Sequence, residues 1–343
     1  MLRWLFRLSL VSIAASPQLA CSQRPPMTRS DGAITETLIR RHINVIADDS
    51  MLGRNTPSRG LDMTANYVAA QFKRLGLKPG GDSGTFIQRY PLMKLGAPGK
   101  PSMPAPSGFD PSSAPNSVGI LIGTDPVLRD EFIVVSAHMD HVGTNGANAK
   151  DSIWNGADDD ASGTAGVLAL AEAFAQMPPR RSMIFLTVSG EEHGLWGSGW
   201  FAKNPPVPIG KIVANFNLDM IGRNWKDSIV VVGLEHSDLG GTLFKVSAAH
   251  PELGITPMRD PWPQENFFGR SDHFNFASRG VPALFFFNGT HVDYHQPSDS
   301  PDKIDAEKES RVVKLIYFVV SAVANATPRP QWNPESYKKI VKN

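Results

Sequence analysis

Five short apolar runs constrain this chain more than any other feature. They are FIVVSA (132–137), SMIFLTVS (182–189), KIVANFNL (211–218), SIVVVG (228–233) and PALFFF (282–287). Runs this short and this continuously apolar suit strands buried on both faces, which requires a sheet covered by helices. Segments of helical period alternate with them: SGTAGVLALAEAFAQM (162–177), LWGSGWFAK (195–203), GGTLFKVSAAH (240–250), SDHFNFASRG (271–280) and AEKESRVVKLIYFVVSAVANA (306–326). Two earlier helices are expected over 34–48 and 61–75, the second stopped by Gly76. The alternation predicts an α/β fold: three α/β/α layers around a mostly parallel, mixed central sheet.

The boundaries follow from composition. Arg3 and Arg7 precede a brief apolar run that is too short to span a bilayer and reads as an export signal over 1–21. The sole cysteine, Cys21, ends the stretch QLAC, which resembles a lipoprotein cleavage box, so a lipid anchor at Cys21 is one expectation and an ordinary cleaved signal the other. A periplasmic, membrane-anchored or secreted location follows from either. Residues 22–32 read as a linker, 33–330 as one domain, and 331–343 as a C-terminal tail. The Pro-, Gly- and Ser-rich stretch 96–117 reads as an exposed connector. Lys and Arg total 34 against 33 for Asp and Glu, and no basic stripe stands out, so a nucleic-acid partner is not expected.

The polar residues fall where such a sheet places its ligands. His138 and Asp140 follow the first strand run, Glu191 and Glu192 the second, Asp219 the third, and His295 lies beyond the last. In open α/β sheets, ligands gather outside the carboxyl ends of the strands. NGADDDASG (155–163) adds Asp158, Asp159 and Asp160 just before a helix, where the helix dipole favours an anion. Nitrogen and carboxylate donors without a thiolate suit zinc or another first-row divalent ion. Five such ligands exceed one tetrahedral site and suit two ions sharing a carboxylate, with Asp159 as the bridge and Asp158 and Asp160 supporting its loop. Of the adjacent glutamates, Glu192 can ligate while Glu191 stays free to take a proton from an attacking water. Within His138-Met-Asp140-His141, a structural His138 with His141 as the ligand is the competing assignment.

SAHMDHVG, NGADDDASG, SGEEHGLWGS, NLDMIG, GRSDHFNFASRGVPALFF and YHQPSD occur in an order that resembles metallopeptidase family 28, the di-zinc aminopeptidases and their glutamate carboxypeptidase relatives. The likeness runs from about residue 36 to 326. It implies a zinc-peptidase fold, two Zn²⁺ per chain and peptide substrates. By position, it implies His138 and Asp219 on one zinc, Glu192 and His295 on the other, and Asp159 bridging both. It further implies Glu191 as general base, Asp140 fixing the ring of His138, a cis peptide at Asp159–Asp160, and Tyr294 stabilising the tetrahedral intermediate. The protease-associated insertion of many relatives is not expected, because the connector takes its place.

An exported aminopeptidase is therefore the leading expectation. The alternatives are a carboxypeptidase with Arg270 as carboxylate clamp, a one-zinc glutaminyl cyclase, and a non-catalytic binding ectodomain. Trp154, Trp196, Trp262, Phe267 and Phe268 are candidates for an apolar substrate pocket. His193, His273 and His291 are expected to support the site or meet solvent, and Asp299 to orient His295 or cap a turn.

Overall fold

A computed structural model of the protein describes residues 1, 30–92, 110–144 and 151–342. The proposed signal, most of the linker and part of the connector lie outside these residues. The sheet comprises β1 (Lys78–Pro79), β2 (Ile87–Pro91), β3 (Ser113–Leu121), β4 (Phe132–His138), β5 (Ser182–Val188), β6 (Ile212–Leu218), β7 (Ser228–Val232), β8 (Thr256–Arg259) and β9 (Ala283–Phe286). Their order is β1-β3-β5-β4-β6-β9-β7-β8, with β2 also paired to β3. The central run β5-β4-β6-β9 is parallel, whereas β3 joins β5, and β7 joins β9, antiparallel. The mixed sheet expected from the apolar runs is present, and its parallel part carries all the strands that precede site residues.

Helices α1 (Glu36–Ile46), α2 (Arg59–Arg74), α3 (Gly163–Gln176), α4 (Trp196–Lys203), α5 (Leu239–Ala249), α6 (His273–Ala277), α7 (Ala306–Asn325) and α8 (Pro334–Ile340) surround it. Successive strand side chains point to opposite faces. Ile133, Val135 and Ala137 of β4 join α1, α3, α5 and α7 in the larger core, while Val134 joins Phe201 of α4 and Phe276 of α6 on the other face. Helix α3 is buried along nearly its whole length, as its apolar sequence demands. Side chains cap α1, α2 and α7: Thr35 accepts from the Leu38 amide, Ser58 from Leu61 and Asp305 from Lys308.

Two segments differ from expectation. Residues 113–117, read as exposed connector, begin β3, with Ala114, Asn116 and Ser117 fully buried. Their polar groups are matched across the fold: Asn116 Nδ2 donates to Gly197 O at 3.0 Å, and Ser117 Oγ to Ala65 O at 3.1 Å. The stretch read as a tail carries α8 and is fastened to the body by Trp332 Nε1 donating to Gly280 O at 2.9 Å and Lys342 N to Ser278 O at 2.8 Å. No helix among the described residues is long and apolar enough to cross a membrane.

Candidate metal centre

The carboxyl ends of the parallel strands bring the acidic and histidine residues to one place. His138 ends β4, Asp219 follows β6, Glu191 and Glu192 lie in the loop after β5, and His295 lies in the loop after β9. Asp159 enters from the turn that opens α3, with a cis peptide to Asp160. Two groups of potential ligand atoms result, one of His138, Asp159 and Asp219, the other of His141, Asp159, Glu192 and His295. Asp159 belongs to both.

The contacts divide the Asp159 carboxylate between them. Its Oδ1 lies 3.2 Å from His138 Nε2, and that nitrogen lies 3.5 Å from Asp219 Oδ1. Its Oδ2 lies 3.1 Å from His295 Nε2 and 3.7 Å from His141 Nδ1. Glu192 reaches His295 through Oε2 at 3.0 Å and His141 through Oε1 at 2.9 Å. Glu191 belongs to neither group.

Whether these residues suit a metal can be judged from their hydrogen bonding. Asp159 Oδ2, Glu192 Oε1, His141 Nδ1 and His295 Nε2 are buried and close to one another, yet none is aligned with a partner for a hydrogen bond. Buried polar atoms left this way are costly unless something else occupies them. Four orphaned donor atoms converging on one point fit a cation. The electrostatics agree. Burial alone would lower the pKa of His295, but the Asp159 and Glu192 carboxylates override it and hold it up at about 10. Burial pushes the Glu191 carboxyl well above its ordinary range, against the pull of His138 and with Asp219, Asp272 and Glu192 adding to the rise.

Neighbouring residues hold these candidate ligands in place. Asp140 Oδ1 lies 3.5 Å from His138 Nδ1, and its Oδ2 accepts from Gly190 N at 2.7 Å and Thr56 Oγ1 at 2.8 Å. Asp160 ties three elements together, accepting from the amides of His138 (3.2 Å), Gly163 (2.8 Å) and Met220 (3.2 Å). Asp158 accepts from Gly222 N at 2.7 Å and meets His291 Nε2 at 3.1 Å. Asp299 has a different place from either expectation. It accepts from the amides of Asp158 and Asp159, at 3.0 and 3.1 Å, and so holds the Asp158–Asp159 loop rather than His295. Ser271 Oγ donates to Asp219 Oδ2 at 2.8 Å and accepts from Asn217 Nδ2 at 2.9 Å.

Tyr294 stacks on the His295 ring with centroids 4.0 Å apart. The five aromatic pocket candidates separate. Trp262, Phe267 and Phe268 cluster with Tyr294, whereas Trp196 packs elsewhere and stacks with the exposed His193. Trp154 instead donates to His295 O at 3.1 Å. His273 is buried and stacks on Phe285. Arg270 lies over Phe267, 4.7 Å from the ring centroid, and pairs with Glu265 at 3.4 Å.

One buried residue had no signal in the sequence. Arg54 donates to the carbonyls of Met139 (2.9 Å), Ile46 (2.8 Å), Asn155 (2.6 Å) and Gly156 (2.9 Å), joining the His138 loop to the Asp159 loop. The neighbouring Gly53 makes this possible, because a Cβ there would lie 2.2 Å from Gly143 O. Arg54→Met would remove all four of these hydrogen bonds and is expected to cost about 3 kcal/mol or more of stability. Urea unfolding would read it, and an unchanged midpoint would remove Arg54 from this role.

Residues 116–320 match Peptidase family M28. A probable zinc metalloprotease of Pyricularia oryzae is 31% identical over 316 residues, covering 80% of this chain and 60% of that protein. Aminopeptidase YwaD of Bacillus subtilis is 26% identical over 242 residues, covering 68% of this chain and 49% of that protein. The chain thus spans 49–60% of the length of these two curated relatives. Among solved structures, BSAP, a zinc aminopeptidase from Bacillus subtilis, superimposes with a TM-score of 0.65 at 16% identity, covering 85% of this chain and 96% of that one. The aminopeptidase from Aneurinibacillus sp. strain AM-1 does so with a TM-score of 0.63 at 17% identity, covering 88% and 97%.

Proposed function

Because the chain belongs to Peptidase family M28, we propose that it is a zinc-dependent aminopeptidase that removes N-terminal residues from peptides. The observation that carries this reading is the pair of ligand groups joined at Asp159 with Glu191 outside both. His138, Asp159 and Asp219 would hold one zinc, and Asp159, Glu192 and His295 the other. When bound, the pair would supply Lewis acidity, activating the attacking water and polarising the scissile carbonyl.

The remaining work belongs to side chains. Glu191 takes the proton of the attacking water and passes it to the leaving amine nitrogen. The Tyr294 hydroxyl, neutral at physiological pH like any tyrosine and pushed further from ionisation by burial, donates a hydrogen bond to the developing oxyanion. Asp140 keeps the His138 ring in place, and Asp160 fixes the spacing between the ends of β4 and β6. The apolar cluster of Trp262, Phe267 and Phe268 beside Tyr294 favours substrates with an apolar residue at the cleaved end. A carboxypeptidase would need a free cation for the substrate carboxylate, and Arg270 is already engaged with Glu265 and Phe267. Export through a signal over 1–21, with or without a lipid on Cys21, completes the proposal.

The test is a screen of aminoacyl-nitroanilides beside N-blocked peptides with free carboxyl ends. Release only from free amino ends, abolished by a chelator and restored by zinc, is the expected result. Cleavage confined to N-blocked substrates would make the enzyme a carboxypeptidase.

A further inference from the structure

His141 has no role in the reading above, yet the fold is built around it. Its side chain is fully buried, and neither ring nitrogen is aligned with a partner for a hydrogen bond. The bridging loop makes room for the ring at Gly156, a left-handed glycine (φ 52°) whose Cβ would come within 2.5 Å of His141 Cγ. Nδ1 faces Glu192 Oε1 at 2.9 Å and Asp159 Oδ2 at 3.7 Å, and the His295 ring stands edge-on with centroids 5.5 Å apart. Tetrahedral zinc with bonds of ~2.0–2.2 Å sets its donor atoms roughly 3.3–3.6 Å apart. The separations among His141 Nδ1, Asp159 Oδ2, Glu192 and His295 Nε2, from 2.9 to 3.7 Å, bracket that spacing.

We infer that His141 is a fourth protein ligand on the Glu192–His295 side, so that the two metal positions are unequal. Four protein donors converge on that side, and three (His138, Asp159 and Asp219) on the other. A full protein tetrahedron is the arrangement of structural zinc sites, whereas three protein ligands is that of catalytic ones. The Glu192–His295 side therefore keeps its ion, and the His138–Asp219 side exchanges. The inference rests on the two-metal reading of the same centre.

The experiment is stepwise chelation of the zinc-loaded full chain, with zinc per chain read by elemental analysis and folding by circular dichroism. The wild type is expected to lose one zinc readily and keep the second at far higher chelator concentration. His141→Asn keeps a polar atom near the Nδ1 position but is a poor zinc donor. It should release the retained zinc with a loss of affinity exceeding the ~10–100-fold typical of a residue that merely touches a ligand. Two zincs leaving the wild type together would overturn the inference while leaving the two-metal reading intact. So would His141→Asn retaining its zinc like the wild type, since a hydrogen bond to Glu192 would then suffice. A folded wild type that never takes up two zincs would instead refute the underlying reading. If His141→Asn does not fold, the wild-type release profile alone decides.

Discussion

Replacing Asp159 by asparagine is expected to strip at least one metal from the protein and to remove nearly all activity. Its Oδ1 faces His138 and its Oδ2 faces His295, so both ligand groups lose an anionic donor in a single change. The charge that offsets repulsion between two cations goes as well, and an amide is a poor bridge. The loss should exceed the ~10²–10⁴-fold that removal of a general base costs. The neighbours are the control, because all three residues have the same chemistry and differ only in register. Asp158→Asn disturbs contacts to Gly222 and His291, and Asp160→Asn sets an amide against backbone donors at His138, Gly163 and Met220. Asp160→Asn is therefore expected to lose about 1–3 kcal/mol of stability while keeping its metals. Metal content and kcat should be measured for the three variants side by side. Metal loss from Asp158→Asn or Asp160→Asn, but not from Asp159→Asn, would move the bridge to another residue.

Glu191→Gln should keep both metals and lose turnover by ~10²–10⁴-fold, with the effect on kcat rather than KM. The glutamine keeps the shape of the side chain but cannot accept the proton. Glu191 stands outside both groups of candidate ligands while Glu192 contacts two histidines, which is the basis for proposing separate jobs for the two adjacent carboxylates. Loss of a metal from Glu191→Gln, with Glu192→Gln retaining both, would exchange the two assignments.

The central strands and the loops after them were legible because burial on both faces leaves short, mostly apolar runs bounded by polar loops. FIVVSA and KIVANFNL became β4 and β6, and the polar residues that follow them meet at one edge of the sheet. The start of β3 was not legible. Ala114, Pro115, Asn116 and Ser117 look like loop because their burial depends on partners such as Ala65 and Gly197, which sequence proximity does not reveal. Strand β1 is only two residues long and carries no periodicity. Asp299 was visible as a candidate, but its partners lie 140 and 141 residues away, so only the folded chain shows that it holds the Asp158–Asp159 backbone. Arg54 was invisible for the same reason: its partners are backbone carbonyls, which leave no residue type to recognise. From the sequence His138 and His141 compete for one place, but the turn after β4 brings both to the centre beside opposite oxygens of Asp159.

We propose that activity requires two metal ions sharing Asp159. The most direct measurement is a zinc titration of the metal-free protein, following bound zinc and aminopeptidase turnover in the same samples. Binding should saturate at two zincs per chain, with activity continuing to rise until the second is in place. Full activity at one zinc per chain, unchanged by further addition, would contradict it.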